Sequence, residues 1–235
     1  MEVLRVRAAN PSPYTLSGTN TWVVGREPAW VVDPGPALTE HLDAVAAAVA
    51  ERGGAGGIAL THDHPDHAEG LDALRARLGD QPVGALPPLG DGDRFGPFTA
   101  LHVPGHAADH LVFVAGRAAF TGDAVLGEGS VFLAPGGGSL GRYLDGLRRL
   151  RALSLERLHP GHGPDVDAPA AKLDEYIEHR LERERRILAA LEAGARTEDE
   201  LLAAAWDAIP EGLRLPATWT LRAHLDKLRE DGRLP

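Results

Sequence analysis

Residues 61–67 read THDHPDH, three histidines and two aspartates within seven positions. Imidazole nitrogen and carboxylate oxygen are the side-chain ligands that zinc accepts where no thiolate is offered. The stretch before it, GIALT (57–61), is apolar with a β-branched residue, and the stretch after it, AEGLDALRARL (68–78), repeats its apolar residues at helical period. The cluster is therefore expected in a loop between a buried strand and a helix. A plainer reading makes HPDH a helix start capped by Asp66. For one histidine that reading would suffice.

The rest of the chain weighs against it. Asp33 follows WVV, His106 follows LHVPG, Asp123 follows AAFTG and His162 follows RLHPG. Each polar group comes after an apolar strand candidate and beside Gly or Pro, in the kind of loop that a rigid sheet edge can hold still. His62 and His64, two apart in a loop, can reach one ion. Asp66 and His67 would face a second position. His106 could complete the first site, His162 the second, and Asp123 could bridge two ions about 3.5–4 Å apart.

The totals set limits. The 235 residues suit one substantial domain, or one with a small appendage, and a hydrophobic share of 43% is enough for a sizeable core. Cysteine is absent, so disulfides and thiolate ligands are excluded. A formal net charge of −10 argues against broad capture of nucleic acid. No apolar run approaches the roughly 18 residues of a membrane span. The start MEVLRVRAANPSP lacks the pattern of a signal peptide. The expectation is a soluble, cytoplasmic protein without a membrane partner.

Strand candidates EVLRVRA, NTWVVG, AWVVDPG, GIALT, FTALHVPG, DHLVFVAG, AAFTGD and ERLHPGHGP alternate with helix candidates. The helices are LTEHLDAVAAAVAERGG, with Thr39 as cap and Gly53–Gly54 as stop, then GLDALRARLG and GRYLDGLRRLRAL. This is an α/β arrangement of sheets covered by helices. From about Ala168 the texture becomes helical. A long helix carries the apolar stripe Leu173, Ile177, Leu181, Leu188 and Leu191, interrupted by Glu184. Thr197 and Glu200 form a capping box, and a last helix closes at Gly232. The expected units are residues 1–167 and a winged-helix-like 168–235 whose wing is barely present.

Other residues carry less. His159 lies outside the PGHG motif that selects His162, and packing is its expected role. Asp109 and His110 are open to a supporting or substrate-facing role, or a structural hydrogen bond. His179, Arg180, Arg183, Arg185 and Arg186 form a basic stretch that could meet phosphate. The interleaved Glu178, Glu182 and Glu184 favour a solvated helix face. Residues 171–235 hold eleven Lys/Arg against fourteen Asp/Glu, net −3, a poor footprint for specific DNA binding. Packing, or formation of a homodimer, is the role expected of this unit. The glycine-rich LAPGGGSLGRY (133–143) lacks the Lys–Ser/Thr of a nucleotide loop and is expected as a mobile loop near the site.

These motifs carry a family resemblance. THDHPDH resembles the T-H-x-H-x-D-H signature of the metallo-β-lactamase fold superfamily, and VPGH, TGD and PGHGP resemble its later motifs in order. NPSPYTLSGTNTWVVG, VPGHAADH, GDAVLGEGSVF, YLDGL and YIEHRLERERRIL resemble the β-lactamase-like protein 2 family over essentially the whole chain. The resemblance implies an αββα sandwich with a small winged-helix unit. It implies that His62, His64 and His106 hold one metal, that Asp66, His67 and His162 hold a second, and that Asp123 bridges them. Asp33 would support the site from behind. The cofactors implied are two Zn2+, with Mn2+ or Fe2+ also compatible with N/O ligands.

The function implied is a dinuclear-metal hydrolase using a metal-bridging hydroxide, acting on single-stranded RNA as an endoribonuclease, with Asp66 and Asp123 as catalytic residues. The alternative is a thioester or small acyl hydrolase of glyoxalase II type, kept open by the net charge of −10 and an aromatic share of 5%, which leaves few stacking platforms for bases. β-Lactam cleavage fits less well, since a bridging Asp123 belongs to the wider hydrolase family. A non-enzymatic binding protein is opposed by the intact ligand set.

Overall fold

The structure, a computed structural model, describes residues 1–234. Strands β1 (Val3–Arg7), β2 (Asn20–Val24), β3 (Ala29–Val32), β4 (Ala55–Ala59) and β5 (Val83–Gly84) form one sheet in that order. Strands β6 (Arg94–Phe95), β7 (Phe98–His102), β8 (Leu111–Ala115), β9 (Ala118–Gly122) and β10 (Arg157–Pro160) form the other, in the order β10-β9-β8-β7-β6. Helices α1 (Thr39–Ala50) and α3 (Leu71–Leu78) cover the first sheet, and α4 (Leu140–Ala152) and α5 (Pro169–Glu192) cover the second. This is the expected αββα sandwich.

Period-two alternation builds three cores at once. In β2, Trp22 and Val24 point between the sheets while Val23 meets α1; in β8, Leu111 and Phe113 point between the sheets while Val112 meets α4. Strands apolar on both faces are what two helix-covered sheets require. The parallel pairs β3–β4 and β9–β10 are joined through α1 and α4, as parallel strands must be. These connections bring the carboxyl ends of β3, β4, β9 and β10 to one edge, where ligands of open α/β sheets bind.

After β10 the chain is helical. The terminal core joins Ile187 of α5 to Leu201 and Leu202 of α6 (Glu198–Ala205) and Leu221 and Leu228 of α7 (Arg214–Glu230). The Thr197–Glu200 capping box is present in full. The long helix α5 belongs to two cores, since its Leu173 and Tyr176 pack with Tyr143 and Leu147 of α4.

Two expectations are corrected. Thr39 is the first helical residue rather than the cap; Leu38 occupies the cap position with no side-chain bond. The buried face of α5 is wider than the predicted stripe: Tyr176, Arg180, Glu184 and Ile187 are buried with Leu173, and Ile177, Leu181, Leu188 and Leu191 pack half-buried beside them. The glycine-rich stretch lies beside the site as expected, and one of its glycines is tightly packed: a Cβ on Gly137 would come within 2.4 Å of Gly105 O and 2.8 Å of His106 O. Glycine is needed there because two backbones touch. Two-residue strands β5 and β6 are too short to signal themselves in the sequence.

Candidate metal centre

His62, His64, Asp66, His67, His106, Asp123 and His162, all seven residues singled out in the sequence, meet at the shared edge. Each arrives by a short route. THDH leaves β4 and ends at Pro65, the first residue of the one-turn helix α2 (Pro65–Ala68), on which Asp66 and His67 sit. His64, not Asp66, is the residue at the helix cap. His106 lies in the loop between β7 and β8, Asp123 directly follows β9 and His162 follows β10 by two residues. Gly161 makes room for them: a Cβ there would lie 2.6 Å from His67 Cε1 and 2.8 Å from Asp123 Oδ1.

Behind the cluster stands Asp33, in the left-handed region at φ 54° at the end of β3. Its carboxylate accepts from Thr61 N (2.7 Å), Thr61 Oγ1 (2.8 Å) and His67 Nδ1 (2.8 Å). The Thr61 hydroxyl, having donated to Asp33, accepts from His62 Nδ1 at 3.0 Å. His106 Nδ1 donates to Phe132 O at 3.0 Å, and His162 Nδ1 faces Gly18 O at 3.5 Å. Partners at Nδ1 select the tautomer that leaves Nε2 free. In His62, His67, His106 and His162 that free nitrogen points into the cluster.

The inward atoms fall into overlapping groups: His62 with His64 and His106; His62 with His67 and Asp123; and Asp66 with His67 and His162. His64 Nδ1 is 3.0 Å from His62 Nε2 and 2.9 Å from His106 Nε2, while His67 Nε2 is 3.3 Å from His162 Nε2. Asp123 straddles both sides, with Oδ1 3.3 Å from His162 Nε2 and Oδ2 3.5 Å from His106 Nε2. Asp123 Oδ1 is buried and has no hydrogen-bond donor. Imidazole nitrogens and carboxylate oxygens packed at such distances need protons or a metal ion shared among them. The donor set therefore fits bound metal, with imidazole and carboxylate oxygen as its only ligand types.

The electrostatics agree. Burial, followed by neighbouring His67 and His110, holds His62 well below the usual histidine value; burial and His106 lower His64. Both stay neutral, the form that ligates. Burial works the same way on His162 but is outweighed by Asp123 and Asp66, which push it up to about 9. Burial is likewise outweighed at His67, raised well above normal by Asp123 and Asp33. On that side, bound metal must displace protons.

Sequence reasoning leaves two neighbours undecided, and both support the cluster. Buried His110 accepts from Asp123 N at 3.1 Å and stacks on His62 with centroids 4.8 Å apart. Asp109 accepts from Asp63 N at 2.9 Å, tying down the THDH loop. His159 lies between Trp22 and Phe120, with centroids at 4.6 and 5.0 Å, and belongs to the packing.

The centre opens on two clefts. One, about 310 Å³, has His106 and Asp123 at its floor and walls of Pro13, Tyr14, Leu16, Leu126, Val131, Phe132 and Leu213, with Glu128 at its side. The other, about 440 Å³, reaches His62 past Leu60, Ala85 and Leu86, with Asp63 and Asp109 as its other charged groups. Among the described residues, neither lining includes a lysine or an arginine.

Comparison with known proteins agrees with this geometry. The pattern of the metallo-beta-lactamase superfamily matches residues 80–162, and that of the beta-lactamase associated winged helix domain matches 197–234. A beta-lactamase-like protein 2 homolog from Caenorhabditis elegans is 33% identical over 98% of this chain and 85% of its own length. The chain belongs to the metallo-β-lactamase superfamily, in its β-lactamase-like protein 2 family. It is thus a metal-dependent hydrolase by family. An atrochrysone carboxyl ACP thioesterase from Aspergillus chevalieri is 37% identical over 80% of this chain and 65% of its own. A metallo-beta-lactamase family protein of Thermus thermophilus superposes with TM-score 0.73 at 23% identity, over 98% of this chain and 94% of that one, a likeness of fold. Among the described residues no helix is long and apolar enough to cross a membrane.

Proposed function

We propose that the protein hydrolyses a thioester or related activated acyl compound with an apolar acyl portion, using two divalent ions held by the seven cluster residues. The carrying observation is the lining of the two clefts: apolar walls, acidic rims and no basic side chain. A polyanion such as RNA normally meets lysine and arginine along its track. Here it would meet Asp63, Asp109 and Glu128 instead. The ACP thioesterase among the relatives supports the same substrate class.

When bound, two such ions supply water ionised at neutral pH and positive charge for the oxyanion that forms at the carbonyl. The chain's own residues divide the remaining work. Asp123 presents an oxygen to each half of the cluster. Asp66, its side chain 27% exposed, is placed to take the proton of the attacking water at Oδ2, held 3.2 Å from His162 and 3.3 Å from the donating Thr19 hydroxyl. In the metal-free protein, burial would raise Asp66, and hydrogen bonds from His162 and His67 outweigh it; with metal bound, the positive charge of the ion would take over that role. Water adds to the carbonyl, the carbon–sulfur bond breaks, and a carboxylic acid and a thiol leave. The metal, be it zinc, manganese or iron, is open to the same N/O donor set.

The sequence resemblance favours a second substrate, single-stranded RNA, and one assay separates the two. Purified protein loaded with zinc is given an acyl thioester of N-acetylcysteamine and a labelled single-stranded RNA, beside Asp123→Asn. Thioester hydrolysis lost in the variant supports the acyl reading. RNA cleavage lost in the variant, without thioester hydrolysis, overturns it in favour of a nuclease.

A further inference from the structure

We infer that the C-terminal helices are part of the metal centre, with Thr220 and Arg180 as positioning residues for His106. The path is short. His106 is aimed by its Nδ1–H bond to the Phe132 carbonyl. The residues on either side of Phe132 are each tied to a C-terminal helix. Arg180 of α5 donates through Nη2 to Val131 O. Thr220 of α7 accepts from Leu133 N at 3.2 Å and donates to Pro216 O at 3.1 Å. Upstream, Tyr176 of α5 accepts from Leu126 N and donates to Gly129 O, both at 3.0 Å. Four backbone groups of the loop are fixed from helices that carry no member of the cluster.

Arg180 shows that this is more than packing. It is only 2% exposed, and among the described residues it has no carboxylate partner within ion-pair distance. Its guanidinium lies over the Tyr143 ring, 5.7 Å from the centroid. A leucine or methionine would fill that space without the cost of burying a charge. What the arginine adds is a donor that reaches Val131 O. The orientation of a ligating imidazole depends on the acceptor behind it, and loss of such a partner weakens metal binding. The same loop walls the 310 Å³ cleft through Leu126, Val131 and Phe132, and Leu213 of the C-terminal unit closes it. The helical unit therefore shapes both the metal site and the space beside it.

This inference rests on the metal centre and not on the substrate assigned to it. The test is a cobalt(II) titration of the metal-free full chain, followed by visible absorption, beside thermal melting. The variants are Thr220→Val, which keeps the shape and removes the hydroxyl, Thr220→Ser, which restores it, and Arg180→Met. Thr220→Val and Arg180→Met are expected to weaken the ion held by His62, His64 and His106 by about 10-fold and to alter its spectrum. The ion held by Asp66, His67 and His162 should keep its affinity, and Thr220→Ser should behave as wild type. If Arg180→Met does not fold, Thr220→Val decides. Unchanged affinity and spectrum in Thr220→Val, or equal weakening of both ions with a lowered Tm, would overturn the inference. A wild-type chain that takes up no cobalt would overturn the centre itself.

Discussion

The strand-end edge and the C-terminal helices both bury ionisable side chains, and they do so in opposite ways. At the edge, Asp33, His62, His67, Asp123 and His162 face one another, and most of them are aimed by an acceptor or donor behind them. In the helices, Arg180, Glu184 and His224 are as deeply buried, but among the described residues they form no hydrogen bond or ion pair with one another. Glu184 is neutralised by Lys227 (3.0 Å) and Arg233 (2.5 Å), Arg180 serves a backbone carbonyl, and among the described residues both nitrogens of His224 lack hydrogen-bond partners. Buried polar groups that converge make a site. Those that disperse join one part of the molecule to another.

The largest effect that would break this contrast is at Asp123. Asp123→Asn should lower turnover by about 10³-fold or more, about 4 kcal/mol of barrier, and reduce bound metal measured by elemental analysis. His64→Ala should do the same; full activity in either variant would place the site elsewhere. Next comes Asp33, which touches no substrate. Asp33→Ala should weaken zinc binding by about 10- to 100-fold in a chelator competition, because Thr61 and His67 lose their common acceptor. Wild-type affinity would show that the cluster needs no support.

A pH series sharpens the comparison. His162 is raised to about 9 in the fold against about 6.5 in an unfolded chain. Its stabilising contribution to the metal-free protein is full below about pH 6.5 and is lost as pH rises through about 9. The metal-free Tm should fall across that window while zinc affinity rises, since zinc displaces the proton. A metal-free Tm flat from about pH 6.5 to about 9 would contradict the reading. In the helices the expected effect is smaller and of opposite sense. His224→Leu removes two unpartnered buried nitrogens and should leave stability unchanged or raise it by about 1 kcal/mol in urea melts. A large loss would reveal a role for the ring. Smallest of all, Arg185→Ala on the solvated face should not move Tm, because exposed ion pairs contribute little.

The same contrast explains what can be read in advance. THDHPDH, Asp123 and His162 are legible because metal chemistry admits few residue types and strand ends confine them to loops. The αββα layering comes with the family motifs rather than with periodicity. The charge pattern of α5 puts Arg180 on the solvated face with Arg185 and Arg186. That holds for the latter two, which pair with Glu182, but fails for Arg180. On a helix, a buried Arg and a buried Glu have the spacing of a surface pattern, and only the tertiary partner distinguishes them. Thr220 is silent for the same reason, and Gly137 suggests freedom where the fold uses it for close contact. His110, weighed evenly between two roles, is settled only by the direction of its ring.

Helix α5 seals the apolar face of α4 with its first half and supplies a wall of the terminal core with its second. Such an element cannot be traded like a module. A cut within it would leave each half with an open apolar face.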